Sequence, residues 1–166
     1  MAEVARAAGV SRQALYLHFA SRASLLLAVV RRMDEQDKIR QRCELALNAH
    51  DPVEALCGFV LTWLRYVATI VPVASVLLAS RHDDPDAAAA WNDRMDELRT
   101  GFRHATQRLA ESGRLRAGLD AATAADLAWT MTSVPAWQQL TVDCGYTADD
   151  AEQLLTDAVS TALTQG

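Results

Sequence analysis

Apolar positions recur along the chain at the three- to four-residue spacing of a helix. Leu15 and Phe19 lie four residues apart, and Leu26, Met33 and Ile39 continue the pattern in a longer segment. Residues three and four apart share one face of a helix, whereas a strand exposes every second residue to the same side. No part of the sequence shows the strand pattern. The chain is therefore predicted to be all-α.

Capping signals divide the N-terminal part into three helices. A helix over Ala2–Ala8 should stop at Gly9, because glycine adopts the left-handed geometry of a helix C-terminus at little cost. Ser11 and Ser21 each precede a helical segment, and their hydroxyl oxygens can accept hydrogen bonds from the free backbone N–H groups. The helix after Ser21 is predicted to continue until Asp51-Pro52 breaks it.

The remaining segments predict the helices of a larger body. A strongly apolar helix begins at Pro52 and should end before Pro72, because proline donates no backbone hydrogen bond and restricts the preceding residue. The other predicted helices span Val73–Ser80, Pro85–Ser112 with Gly113 as its end, a segment capped by Asp120 with a kink at Pro135, and a last helix from about Thr147.

The composition indicates one sizeable core and no membrane span. Of the 166 residues, 51% are hydrophobic. The longest apolar runs, such as Val71–Ala79, are shorter than the roughly 20 residues of a spanning helix, and no secretory signal opens the chain. Cys43, Cys57 and Cys144 are widely separated and odd in number, which indicates neither a disulfide framework nor a zinc cluster. We therefore expect a cytoplasmic protein without cofactor or metal.

The charge is distributed unevenly along the chain, whose formal total is -5. Residues 1–32 hold five arginines and one glutamate and so carry +4, which leaves -9 for the other 134 residues. A cationic segment attracts the phosphates of DNA. The charges thus favour a DNA-binding head over residues 1–32 and an acidic body over residues 33–166.

The head contains the spacing of a helix-turn-helix. Ala5 lets two helices approach, Gly9 makes the turn, and Leu15 packs the second helix on the first, although many helical hairpins share these three positions. The wider segment from Ala2 to Val30, with its run Ala8-Gly9-Val10-Ser11, resembles the end of the TetR-family DNA-binding domain almost position for position. The resemblance implies an all-α transcription factor with an N-terminal helix-turn-helix.

The same resemblance implies a recognition helix after Ser11, with its first turn against base edges in the major groove. Arginine and glutamine can form bidentate contacts with bases, and a helix N-terminus can hold a phosphate. The implied DNA-contacting residues are Arg12, Gln13, Ala14, Tyr16, His18 and Arg22. The implied core of the head is Leu15 and Phe19, joined by Val4, Ala5, Ala8 and Val10. Family members carry a complete helix before this segment, so the resemblance also implies an incomplete head. The alternative interpretation, without the resemblance, is that Arg12 and Arg22 are ordinary surface charges and that Tyr16 is a packing residue.

Residues 111–155 resemble the regulatory body of the family less specifically. This resemblance implies that the last two helices pair with those of a second subunit in a four-helix bundle. The candidate dimer contacts are Leu127, Met131, Leu154, Leu155, Val159 and Leu163. The alternative is that these residues face the core of their own subunit. A two-fold dimer would place two recognition helices about one DNA turn apart and so require a palindromic operator.

Aromatic residues fall on helices that in the family surround a central cavity, which suits an apolar or cationic small molecule. The candidate ligand contacts are Trp63, Tyr66, His82, Trp91, Met95, Phe102, Trp129 and Trp137. Aromatic residues at helical spacing can equally be plain core. A metal site at His82, Asp83, Asp84 and Asp86 is less well supported than a set of helix caps before Pro85.

The expected function is a ligand-responsive regulator, in particular a repressor that binds operator DNA as a homodimer and is released by a small molecule. The coupling would follow if Arg22 and Met33–Leu47 lie on one continuous or nearly continuous helix. The alternative is a dimeric ligand-binding helical module without DNA binding. No phosphate loop, nucleophile elbow or grouping of acid, base and nucleophile indicates an enzyme.

Overall fold

The chain folds into helices throughout the part that the computed structural model describes, residues 1–165. Within that range no strand forms, and the one β-bridge joins Leu115 to Thr164. The all-α prediction is therefore confirmed. Residue 166 of the predicted body lies outside the described residues.

Nine α-helices and one π-helical turn follow one another along these residues. They are α1 (Ala2–Ala7), α2 (Arg12–His18), α3 (Arg22–Asp37), α4 (Ile39–Leu47), α5 (Pro52–Ser80), α6 (Pro85–Glu111), α7 (Ala121–Met131), α8 (Val134–Gln138), the π-turn (Gln139–Asp143) and α9 (Ala148–Leu163). Ser11 caps α2 and Ser21 caps α3, as predicted. The kink predicted near Pro135 is a full break, because Ser133 caps a new helix there.

The predicted long helix after Ser21 is divided in two at Lys38. This residue adopts a left-handed conformation with φ 57°, which is uncommon for residues other than glycine. Arg42 of α4 spans the break through an ion pair of 2.6 Å with Asp37 of α3. At its other end, α4 is capped by the Arg108 guanidinium of α6, which donates to the carbonyl groups of Leu47, Ala49 and His50. The helix predicted to continue from Ser21 to Asp51 is therefore wrong, because the segment forms two helices separated by one residue.

The expected helix end before Pro72 is also wrong, because α5 runs through this proline to Ser80. Pro72 lies on the exposed side of α5, where water can satisfy the carbonyl that loses its hydrogen bond. Ile70 and Ala74 on the other side are buried, and this packing keeps the helix intact. Tertiary contacts thus override the local preference of proline.

Helix α5 is the centre of the body. Leu56, Val60, Leu64 and Val67 have no exposed surface, and α4, α6 and α9 pack around them. By length and composition alone α5 could cross a membrane, so the expectation that no segment has the required length is wrong. The core helix of a globular protein meets the same criterion, and burial among its own neighbours gives α5 that role here.

The head is smaller and more exposed than the body. Ala5 and Leu15 are the buried residues of α1 and α2, while Val4, Ala8 and Val10 are exposed rather than part of the expected small core. Helix α3 joins the head to the body by packing on α5 and α6.

Candidate DNA-contact surface and ligand site

Helix α2 presents most of the predicted DNA-contacting side chains to solvent. Arg12, Gln13, Tyr16 and His18 are exposed, and Ala14 is half-buried. The Arg12 guanidinium lies 5.5 Å from the centre of the Tyr16 ring, one helical turn away. The first two turns of α2 therefore carry a cation, an amide and an aromatic ring on an accessible surface.

The start of α3 adds another cationic group to this surface. Ser21 and Ser24 form a reciprocal capping box, in which each hydroxyl oxygen accepts from the other residue's backbone N–H at 3.0–3.1 Å. Arg22 is exposed in the first turn that follows. An arginine beside a helix N-terminus is suited to a phosphate. Contact of all these residues with DNA stays a prediction.

The body contains a small apolar cavity between α3, α5, α6 and α8. Its volume is about 40 Å³, far below the roughly 300–1,000 Å³ of most small-molecule sites. Trp63, Trp91 and Met95, three of the predicted ligand contacts, line it together with Arg94, and their contact with a ligand stays a prediction. The other lining residues are Val30, Ile70, Ala74, Leu77 and Val134.

A larger open groove of about 990 Å³ adjoins this cavity between α3, α4, α5 and α6. Trp63 and Arg94 line both spaces and so stand between them. Ile39, Phe59 and Leu98 are buried residues on the groove wall, and charged side chains of α3, α4 and α6 surround them. The two spaces together offer an apolar interior behind a charged entrance.

A network of charges connects four helices at this entrance. Arg94 of α6 pairs with Asp34 of α3 at 2.8 Å and with Glu97 at 3.2 Å. Glu97 in turn pairs with Arg40 of α4 at 2.8 Å. The Tyr66 hydroxyl of α5 donates a hydrogen bond to Asp34. The side chains of α3, α4, α5 and α6 thus meet around one guanidinium.

Burial shapes the protonation of this network. Loss of solvent raises the pKa of Asp34, and Glu97 adds to the rise, although the Tyr66 hydroxyl, Arg94 and Arg40 act in the opposite direction. Burial and the neighbouring Asp34 carboxylate raise the pKa of Tyr66, so its hydroxyl keeps its proton. The ionised form of Asp34 is therefore held in an unfavourable environment.

Four other predicted ligand residues line neither the cavity nor the groove. Phe102 is fully buried and packs edge-on against Phe59 with ring centres 5.0 Å apart. Trp129 is half-buried beneath Arg99, and His82 is exposed in the turn before α6. Trp137 is buried, and its indole N–H has no hydrogen-bond partner among the described residues. The cavity therefore gathers only part of the predicted set.

The acidic residues beside His82 include a helix cap, as the sequence favoured. Asp84 accepts hydrogen bonds from the backbone N–H groups of Asp86 and Ala87 at 3.0 and 3.2 Å. These bonds satisfy the free N–H groups at the start of α6.

The predicted dimer residues divide into two groups. Leu155, Val159 and Leu163 of α9 are buried within their own subunit, which is the alternative that the sequence left open. Leu154 is exposed, while Leu127 and Met131 of α7 are half-buried. Pairing of α7 and α9 with a second subunit stays a prediction. Of the predicted dimer residues, only Leu127, Met131 and Leu154 have exposed surface for such a contact.

The sequence interpretation missed the charge network, although one signal was available. Arg94 falls within the apolar stripe of α6, between Trp91 and Leu98 and beside Met95. A charge on the buried face of a helix needs a partner or a ligand. Its partner Asp34 is 60 positions away in the sequence, so their contact required the fold.

Known proteins share the N-terminal segment and the helical fold of this chain. Residues 1–29 match the family described as bacterial regulatory proteins, tetR family. No curated protein matches the chain.

Solved structures share the fold over almost the whole chain. A transcriptional regulator from Saccharomonospora viridis in complex with choline is 22% identical with a TM-score of 0.77, covering 98% of this chain and 85% of its own. PfmR of Thermus thermophilus, a TetR family regulator, is 23% identical with a TM-score of 0.75, covering 99% and 88%. FadR of Bacillus halodurans, a fatty acid degradation regulator, is 17% identical with a TM-score of 0.74, covering 96% and 82%. The resemblance to the TetR family of transcriptional regulators is thereby confirmed, by a matching N-terminal segment and by a fold shared along the chain.

Proposed function

We propose that this protein is a ligand-responsive transcriptional repressor of the cytoplasm. It binds a palindromic operator as a homodimer through α2 and the start of α3, and a small molecule releases it. The predicted head, residues 1–32, contacts DNA, and the body from residue 33 binds the ligand and the second subunit.

One observation carries the proposal: α3 extends from the DNA-contact surface to the ligand site. Arg22 lies in its first turn, whereas Val30 lines the cavity and Asp34 belongs to the charge network. The 16 residues of α3 span about 24 Å at 1.5 Å per residue. A ligand that displaces the far end of α3 would therefore move the DNA-contacting end as well.

The shared fold leaves the effector open. The Saccharomonospora viridis structure contains choline, whereas FadR is described as a regulator of fatty acid degradation. Choline is a cation, whereas fatty acids are anions at neutral pH, so the two proteins are described with molecules of opposite charge. The effector has to be inferred from the side chains of this chain.

The test is DNA selection from a random pool with the purified full chain, followed by gel shift and footprinting. We expect a protected palindrome whose half-sites lie about one helical turn apart. Arg12→Ala should weaken binding about 5- to 150-fold, the value of a bidentate base contact. Arg103→Ala, which removes an exposed arginine from α6, is the matched control and should leave the affinity unchanged.

Two outcomes would count against the proposal. An absence of selected sequence would favour the alternative of a dimeric ligand-binding module. A sedimentation experiment that finds only monomers would contradict the palindrome, because one head reads one half-site.

A further inference from the structure

Arg94 is the only charged side chain that lines the small cavity among the residues that the structure describes. Its neighbours one turn away on α6 are the apolar Trp91 and Leu98 and its ion-pair partner Glu97. The side chain of Arg94 is 22% exposed, and a guanidinium so placed is costly unless negative groups surround it. The charged group of this otherwise apolar cavity is therefore a guanidinium, which Asp34 and Glu97 neutralise.

A carboxylate from a ligand could replace one of the present partners of Arg94. Its two terminal nitrogens pair with Asp34 and Glu97. A guanidinium has five N–H donors in a planar fork that matches the two oxygens of a carboxylate. A ligand carboxylate can therefore take the place of Asp34 without leaving the guanidinium unpaired.

Asp34 is the partner that gives way most readily. Its carboxylate is only 15% exposed, and burial raises its pKa in spite of the opposing effects of Tyr66, Arg94 and Arg40. A displaced Asp34 can bind a proton instead of the guanidinium, still within reach of the Tyr66 hydroxyl. Glu97 has a second cation, Arg40, and so is held from two sides.

We propose that the effector is an amphiphilic carboxylate, which takes Arg94 from Asp34 while its apolar chain lies in the groove against Trp63, Phe59 and Leu98. This proposal rests on the ligand site of the proposed function and names its ligand class. The molecule enters through the open groove, which shares Trp63 and Arg94 with the cavity. A cationic amphiphile cannot take the place of the Asp34 carboxylate at the guanidinium, and a neutral one would leave the ion pair intact.

The exchange of partners also explains how the ligand reaches the DNA-contact surface. Asp34 links α3 to α6 through Arg94 and to α5 through Tyr66. Once a ligand occupies Arg94, the ion pair between α3 and α6 is lost, and only their apolar packing remains. Helix α3 then changes its position on the body, and the separation of the two heads in a dimer changes with it.

The test is a titration of the purified full chain with dodecanoate, below its micelle concentration, followed by tryptophan fluorescence. Trp63 and Trp91 lie at the site and report binding. Dodecyltrimethylammonium and dodecanol are the matched cationic and neutral probes. We expect saturable binding of dodecanoate, about tenfold or more tighter than that of either probe, which is the value of a hydrogen-bonded charge pair.

Three variants complete the experiment. Arg94→Gln should weaken dodecanoate binding about tenfold or more, whereas Arg103→Gln on the exposed side of α6 should not. Asp34→Asn removes the competing charge and should strengthen binding, a gain that a poorly folded protein cannot give. Circular dichroism establishes that each variant is folded.

Equal binding of the three probes, or an unchanged affinity in folded Arg94→Gln protein, would overturn the proposal. The titration contains no DNA, so its result is independent of operator binding. A chain that binds dodecanoate through Arg94 and selects no DNA sequence would support the ligand class while the proposed regulator function fails.

Discussion

The head and the body differ in how they use their apolar residues. The body encloses Leu56, Val60 and Leu64 completely, and such side chains each contribute about 1.5–3 kcal/mol on burial. Helices α1 and α2 of the head bury only Ala5 and Leu15, while Leu17 of α2 is 82% exposed. The stability of the molecule therefore comes from the body, and the head is arranged around its surface.

Helix length strengthens this contrast. Helices α1 and α2 contain six and seven residues, and isolated helices below about 12–15 residues are marginal in water. The head thus depends on the capping bonds of Ser11 and Ser21 and on its attachment through α3. Regions with few buried contacts open locally more often than the core does.

The largest expected effect tests the body core. Phe102→Ala removes a fully buried ring that packs edge-on against Phe59, so it should lower the free energy of unfolding by about 3–5 kcal/mol. Chemical denaturation followed by circular dichroism measures the loss. A loss below about 1 kcal/mol would contradict the assignment of stability to the body.

A smaller loss of stability is expected from a substitution in α6 at Gly101, which faces the Phe59 ring. In Gly101→Ala the new Cβ would lie 2.8 Å from Cε2 of Phe59 and closer still to Cζ. The crowding should cost about 1–3 kcal/mol, partly offset by the better helix propensity of alanine.

Gly58→Ala is the matched control for this crowding. Its Cβ would meet Ala46 Cβ at 3.5 Å, an ordinary contact, so the variant should gain about 0.5–1 kcal/mol. The two variants should therefore shift the denaturation midpoint in opposite directions. A shift in the same direction would mean that the Phe59 ring moves aside freely.

The smallest effect is expected in the head. Leu17→Ala should change the free energy of unfolding by less than about 0.5 kcal/mol, because the side chain is already solvated. Leu15→Ala, two residues earlier and buried, should reduce the hydrogen-exchange protection of α2 strongly. Equal protection of α2 in both variants would show that the head has no core of its own and that all of the stability comes from the body.

Local signals in the sequence predicted most helix boundaries. Ser11, Ser21, Asp120 and Thr147 each cap the helix that follows, because a side-chain oxygen beside free N–H groups is a short-range effect. The helix end expected before Pro72 was wrong. The burial of Ile70 and Ala74, which precede and follow this proline in the sequence, outweighs its missing hydrogen bond. Boundaries set by neighbours in the sequence are predictable, and those set by tertiary contacts are not.

The same distinction applies to the candidate site. Trp63, Trp91 and Met95 follow a helical apolar pattern, from which the sequence predicted ligand contacts. In the structure these three residues line the cavity. The contact between Asp34 and Arg94 joins residues far apart in the sequence, so no spacing rule could find it. The break at Lys38 depends on one left-handed residue without a glycine to signal it.

The break at Lys38 determines what kind of motion the protein can make. Arg108 fixes the C-terminal end of α4 to α6, whereas the other end of α4 is joined to α3 by the left-handed residue Lys38 and by the ion pair between Arg42 and Asp37. A displaced α3 would therefore rotate about Lys38 and leave α4 in place. A small shift near Asp34 becomes a larger arc at Arg22, since the distance from the pivot multiplies the displacement.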